Sequence, residues 1–516
     1  MNNPKLLLLS LSLLLGTTLS AQYIESESCT SVIIGKNASV DGSTMTSHTC
    51  DSGTDRTWIN LVPGAMHKAG SETPVFLEPK RTRGPGDPDA IEAAYIKQVR
   101  ETYAYINTAY PVMNEHQLAI GETTFGGKRE LVSDAGLIDC PELYRLALER
   151  AKTAREAIMV IDGLTKEYGY NDVGECFTFA DPNETWHFEI LGPGKGKIGA
   201  VWAAVRIPDD EVGVSANASR IRTIKLDDPD NYMASDNVFS LAEELGYWSA
   251  DSGEEFEFCY VYANRMSMGS RRREWRALSL VAPSLKLDPN GENFPLSVKP
   301  DNKLSVKDVL AIFRDYYQNT PFDMTASLMA PDRHGEYVKS PVANPYMSND
   351  TRVLFGIPRE RTISCPRATY VQVTQSRNWL PDPVGGVVWL GYDNPSTTPH
   401  LPFYCGINSM PESYMVDGRR GFRRDCAWWA FRRVSQLTYM RYQPMSKDVE
   451  AVWSEMEDEL FSNQEAFEKK IADMYKKDKE KAKAELTRYS IDIAEKAVER
   501  YWLLGDELWG KYTNYF

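Results

Sequence analysis

The chain has 516 residues, with 58 Lys and Arg against 72 Asp and Glu, a formal charge of −14, and 42% hydrophobic residues. An acidic surplus of that size excludes the clustered basic surface that nucleic acid requires, and 11% aromatic residues with 12 Trp exclude a disordered chain. At roughly 150 residues per domain the length allows about three domains, or one large α+β unit.

In chain order, the first segment has Lys5 as its sole side-chain charge before residue 20, a Leu/Ser run from Leu6 to Leu15, and the small pair Ser20-Ala21. This predicts a signal peptide over 1–21: ten apolar residues are about half of what a membrane-spanning helix needs. The protein is therefore expected to be exported, periplasmic or extracellular, without a membrane anchor. Cys29–Gly35 is a β-branched run that reads as a buried strand, Asn37–Gly42 carries turn residues, and Ser43–Thr49 can run back beside the first strand. A loop over 36–42 sets Thr49 opposite Cys29, and a tight Asp41-Gly42 turn sets Thr54 there. Either register returns 48–54 to the side of Cys29.

Two helices are predicted over Pro141–Ala151 and Thr153–Thr165, the second opened by the capping box Thr153-x-x-Glu156. Strand patterns follow at Thr185–Leu191, Ala200–Arg206 and Gly213–Asn217. A helix over Ser305–Tyr317 and strands near Thr369–Thr374 and Gly385–Leu390 come next. From Ser446 the chain reads as helical and rich in Glu and Lys, with Val449, Val452, Trp453 and Met456 at helical spacing. Its charges are expected to face solvent. Without repeats or low-complexity linkers, the pattern favours a single α+β catalytic unit with helical decoration.

Gly194, Gly196 and Gly199 form a literal GxGxxG after a strand. A dinucleotide loop must open a helix whose N-terminus receives the pyrophosphate, and Ala200–Arg206 has a strand pattern, so a hairpin loop is the expectation. The eight cysteines include no CxxC pair, and the six histidines no HExxH, so the spacing supports no metal site. An oxidising compartment permits disulfides. If one cysteine is a working thiol, at least one of the other seven is unpaired. Cys29 has three readings: a lipid anchor, half of a disulfide, or a catalytic thiol exposed as a new N-terminus. Ser26-Glu27-Ser28, about a dozen residues beyond the apolar run, speak against the anchor.

Ordered blocks decide among these readings: Cys29-Thr-Ser-Val-Ile-Ile-Gly35, Asp41-Gly-Ser-Thr44, Asn114-Glu115, Leu118 to Gly127, Ala180-Asp-Pro182, Arg206-x-Pro208-Asp-Asp210, Ser215-Ala-Asn217-x-Ser-Arg-Ile221, Ser376-Arg377 and Gly385-Gly-Val-Val-Trp389. Together they resemble the dipeptidases of the N-terminal-nucleophile hydrolase superfamily, relatives of penicillin V acylases and bile salt hydrolases. The resemblance implies a four-layer αββα sandwich with helical C-terminal decoration. It divides the chain into a signal peptide (1–21), a short propeptide (22–28), a catalytic core (29–445) and a charged helical region (446–516) packed on that core. It also implies a precursor that cuts itself before Cys29, no cofactor, and dipeptides or short peptides as substrates. A homo-oligomer is compatible with all of this.

The chemistry fits the resemblance. A cysteine at a free N-terminus carries its own base, an α-amine with a pKa of about 8 beside a thiol of about 8.5. Asp51 falls where a carboxylate can hold that α-ammonium, although Asp51-Ser-Gly53 also reads as a turn. By resemblance, Asn217 supplies a side-chain N–H to the oxyanion; its other reading is a strand-end residue. Relatives often carry an Arg three residues before the Asp, where this chain has His48, which could aid the thiolate only when protonated or be an ordinary strand residue. Arg220 is a candidate clamp for a substrate carboxylate or half of a structural ion pair, and Glu122 a candidate for the substrate ammonium or a structural residue. Cys50 is expected to pack inside or form a disulfide. The alternatives to a dipeptidase are an amidase of N-acylated small molecules and an inactive exported binding protein.

Overall fold

The computed structural model describes residues 28–53, 55–77, 90–264 and 266–514. The predicted signal peptide, residues 22–27 of the predicted propeptide, and Thr54 lie outside the described residues.

The chain enters through strand β1 (Ser31–Ile34) and turns into β2 (Ser47–Cys50). The predicted hairpin forms only at its turn. Ile34 bridges Met45, and the Thr49 N–H reaches the Thr30 carbonyl at 3.1 Å. Thr49 therefore faces Thr30, one residue from the position expected for the longer loop. Between these points the Ser47 hydroxyl replaces the backbone ladder, accepting from Val32 N–H at 2.7 Å and donating to its carbonyl at 2.8 Å. The side chain fills the gap because the two strands part company and serve different sheets.

The largest sheet among the described residues has eight antiparallel strands. Its centre is β3 (Ala119–Gly126), β4 (Gly174–Ala180), β5 (Thr185–Leu191) and β6 (Val201–Ile207). Gly194, Gly196 and Gly199 lie in the loop joining antiparallel β5 to β6, all at positive φ. The GxGxxG is thus a hairpin loop, as expected. Helices α1 (Cys140–Arg150) and α2 (Ala154–Tyr168) pack on each other, and α2 lies against β5. Thr153 caps α2 as predicted by accepting from Glu156 N–H at 3.2 Å, but the Glu156 carboxylate turns to Lys152 N–H instead of closing the box.

Strand β7 (Val212–Ser215) pairs with β1, and the following helix α3 (Met268–Val281) packs on β7. The predicted 305–317 helix is observed over Val306–Phe313, with Ser305 and Asp308 forming a capping box. A four-stranded antiparallel sheet places β2 beside β8 (Tyr370–Gln375), then β9 (Val387–Tyr392) and β10 (Leu401–Tyr404). Helix α4 (Ala427–Thr438) covers β9, and the long helices α5 (Tyr442–Tyr475) and α6 (Lys479–Thr513) pack together, with α6 also on β10 and α4. Val449, Leu460 and Ile471 are buried in the main core, with Val452, Trp453 and Met456 partly buried against it. Most charges of the two long helices stay exposed. A buried Arg377–Glu468 pair at 2.6 Å ties α5 to the end of β8.

The two larger sheets meet where β2 crosses β3. Gly121 permits the approach: a Cβ there would stand 2.2 Å from the Ser47 carbonyl oxygen. Any side chain at 121 would push apart the strands that carry His48 and Glu122.

Candidate active site

Three elements converge on Cys29. The β1–β7 pairing ends at Ser31 and Ser215, two residues from Cys29 on one strand and two from Asn217 on the other. Strand β2 brings Asp51 back from the other sheet, two residues after Thr49. Helix α3 contributes Arg273, which the sequence reading did not single out.

Arg273 is fully buried, and its guanidinium joins the two sides of the site. Nη1 donates to the Cys29 carbonyl at 2.5 Å and to Thr30 Oγ1 at 2.9 Å. Nη2 donates to the Ala216 carbonyl at 3.1 Å and to Asn217 Oδ1 at 2.8 Å. Burial and the nearby Arg361 cation lower its pKa to about 10. By fixing Oδ1, Arg273 also fixes which end of the amide is Nδ2. That nitrogen donates to the Thr124 carbonyl at 2.7 Å, which leaves its second N–H for another acceptor. Asn217 holds this pose with φ of 60°, a left-handed conformation that asparagine tolerates better than most residues.

Asp51 is buried and accepts on Oδ2 from Thr49 Oγ1 at 3.2 Å and from Arg361 Nη2. Its Oδ1 has no hydrogen bond among the described residues. Burial raises its pKa, opposed by Arg361 and Arg273. A buried carboxylate with one free oxygen beside Cys29 is suited to receive a further cationic donor.

The Cys29 thiol itself is buried, and burial, Glu122, Cys50 and Asp51 together push its pKa well above the ordinary thiol range. Glu122 lies in the same pocket with no exposed surface. His48 Nε2 is 3.3 Å from Glu122 Oε2, too poorly aligned for a hydrogen bond, so both atoms stay unbonded among the described residues. Burial pushes the Glu122 pKa up, but His48 pulls it below the usual carboxylate range. Burial and Glu122 push its neighbour Glu175 well above that range. One carboxylate of the pair thus takes the charge while the other holds the proton. His48 also packs edge-on against Tyr110 and Tyr370, at centroid distances of 5.1 and 5.6 Å. Donor atoms of Cys29, His48 and Glu122 all lie within 4.8 Å of one another, the one group among the described residues close enough to hold a metal. A metal there would engage the thiol itself.

The structure therefore brings Cys29, His48, Asp51, Glu122 and Asn217 to one place. Arg220 is engaged elsewhere: it lies 2.9 Å from Glu274 and donates to the carbonyls of Val214, Phe294 and Pro295. Cys50 packs inside, with its Sγ 3.4 Å from Asp55, and all eight cysteines are unpaired.

Arg361 is the second residue that the sequence reading missed. It stands in the loop before β8 and reaches Ser28, on the other side of the Cys29 amide, through Nε to Oγ at 2.9 Å and Nη2 to the carbonyl at 3.1 Å. It sets a cation against Asp51. Ser28, Asn217 and Arg361 keep partial exposure, so the site opens on their side. Arg273 had a signal: it shares a helical stripe with Ala277 and Val281, both buried, and a charge in phase with an apolar stripe is unusual. Arg361 had none, because a loop residue has no periodicity to violate.

Residues 28–455 match the model of Peptidase family C69. A "Probable dipeptidase" of Latilactobacillus sakei is 28% identical over 439 residues, 81% of this chain and 82% of the relative. A "Probable dipeptidase B" of Lactococcus lactis subsp. lactis is 26% identical over 462 residues, 86% and 90% of the two chains. A "Probable dipeptidase A" of Streptococcus pyogenes serotype M18 is 22% identical over 435 residues, 83% and 85%.

Proposed function

The chain belongs to peptidase family C69, and from that premise we propose that it is an exported cysteine dipeptidase whose nucleophile is Cys29, freed as a new N-terminus by self-cleavage of the Ser28–Cys29 bond. The relatives are named dipeptidases over most of their length. The observation that carries the reading is the convergence of Cys29, Asp51 and Asn217 around that one peptide bond, spanned by two guanidinium groups.

In this mechanism the α-amine of Cys29 takes the thiol proton and the thiolate attacks the dipeptide carbonyl. Asp51 Oδ1 receives the resulting α-ammonium. The second N–H of Asn217 Nδ2, held by the Arg273 and Thr124 contacts, donates to the oxyanion. The leaving amine departs with a proton, and water then hydrolyses the thioester. Glu122 and His48 act from beneath the thiol, as buried electrostatics and not as substrate contacts. We read the two larger sheets, with α1 and α2 outside one and α4 outside the other, as the four-layer αββα arrangement, with 446–516 as decoration of a 29–445 core.

Free dipeptides assayed beside their N-acetylated twins, penicillin V and a glycine-conjugated bile acid test the substrate class. The proposal expects cleavage of free dipeptides and loss of cleavage on acetylation. Turnover of the acylated compounds without the free dipeptides would make the protein an N-acyl amidase. No turnover of any of them would favour an inactive binding protein.

A further inference from the structure

Arg361 is placed on the bond that must break before the enzyme can work. Its Nη2 donates to the Ser28 carbonyl oxygen at 3.1 Å, and its Nε to the hydroxyl of the same residue at 2.9 Å. Nη2 also meets Asp51 Oδ2. The Tyr317 hydroxyl fixes the backbone behind it, donating to the Arg361 carbonyl at 2.6 Å. On the far side of the peptide, Arg273 holds the Cys29 carbonyl at 2.5 Å. One guanidinium therefore grips the carbonyl of each residue flanking the scissile bond, and only that of Arg361 touches the oxygen on which charge would develop.

We propose that Arg361 is the oxyanion donor of maturation, a role separate from that of Asn217 in dipeptide turnover; this rests on the self-cleavage reading above. The Cys29 sulfur attacks the Ser28 carbonyl carbon, forming a C–S bond within a five-membered ring of Sγ, Cβ, Cα, N and C. The carbonyl π pair moves onto the oxygen, where Arg361 stabilises it. Collapse breaks the C–N bond, and the Cys29 nitrogen takes the proton that the thiol gave up. Water then adds to the Ser28 thioester, the C–S bond breaks, the acyl carbon keeps the hydroxyl as a carboxylic acid, and the sulfur regains a proton. Asp51, already paired with Arg361, stands beside the new amine as it forms.

The test follows maturation of the full chain by intact mass after a pulse of expression, for wild type, Cys29→Ala, Arg361→Lys, Arg361→Met and Ser28→Ala, with circular dichroism on each. Removing one oxyanion donor typically costs about a hundredfold or more in rate, so Arg361→Met should accumulate precursor that retains Ser28. Arg361→Lys should mature at least tenfold slower, having lost the two-nitrogen grip on Ser28. Ser28→Ala, which removes only the hydroxyl contact, should slow maturation several-fold and keeps the inference testable if the arginine variants misfold. Wild-type maturation rates in Arg361→Lys and Ser28→Ala, with Cys29→Ala still uncut, would overturn the role of Arg361 and leave self-cleavage standing. Maturation of Cys29→Ala would overturn the self-cleavage reading itself.

Discussion

Two buried cysteine–histidine–glutamate groups lie in this core, and they are built in opposite ways. In Cys176–His187–Glu189, on the neighbouring strands β4 and β5, both carboxylate oxygens are bonded. Glu189 Oε1 accepts from His187 Nε2 at 2.8 Å and from the backbone N–H groups of Arg220 and Ile221 at 2.5 and 3.2 Å, and Oε2 accepts from the Ser219 hydroxyl. The Cys176 sulfur is met by Ser215 Oγ at 3.3 Å. In Cys29–His48–Glu122, both ring nitrogens and Glu122 Oε2 lack a hydrogen bond among the described residues, as does Asp51 Oδ1 close by. Buried polar groups are normally satisfied, and a satisfied network rigidifies its surroundings. The first group is an anchor for the 219–221 loop that follows Asn217; the second keeps its bonding capacity for chemistry. Residue composition alone would not tell them apart. Hydrogen-bond satisfaction does.

The comparison breaks most visibly at Glu189. Glu189→Gln replaces an acceptor of four donors by an amide that turns N–H groups toward some of them, so it should destabilise the fold by about 3 kcal/mol or more, read as a lower melting temperature, with activity lost alongside. Asp51→Asn keeps shape and removes charge. It should cost at least tenfold in kcat/KM, about 1.4 kcal/mol of transition-state stabilisation, with little change in melting temperature. Equal melting losses in the two variants would remove the distinction between anchor and site.

A smaller effect sharpens it. The Glu122 charge helps to hold the Cys29 thiol pKa up. Glu122→Gln removes one negative neighbour, favours the thiolate, and should move the midpoint of iodoacetamide inactivation of the mature enzyme to lower pH by roughly one unit. No shift would mean that Glu122 does not act on the thiol, and a shift to higher pH would mean that it favours the thiolate, against this account.

How much of this was legible in the sequence follows from the range of each signal. Strand patterns at 185–191 and 200–206, the Thr153 cap and the helical spacing after 446 are local, and they reappear with boundaries shifted by a few residues. Cys29, Asp51 and Asn217 stood out through ordered blocks and the returning strand, although the hairpin register is off by one residue, already at the turn where Ile34 bridges Met45. Strands β3 and β4 were missed as elements: Gly121, Gly126 and Gly174 interrupt their patterns, and both are buried on two faces, which erases alternation. Arg273 and Arg361 reach the site only through tertiary packing, across 244 and 333 positions of sequence separation from Cys29 and Ser28. Glu189 showed no mark of its anchoring role, since three of its four donors arrive from a loop 30 to 32 residues away.

The most direct test of the account is the N-terminus of the active enzyme. Intact mass and N-terminal sequencing of purified protein that hydrolyses dipeptides should show a chain beginning at Cys29, and the Cys29→Ala variant should keep the preceding residues and hydrolyse nothing. Active protein that still carries Gln22 to Ser28 would contradict the account, because the α-amine that serves as base would be locked in an amide.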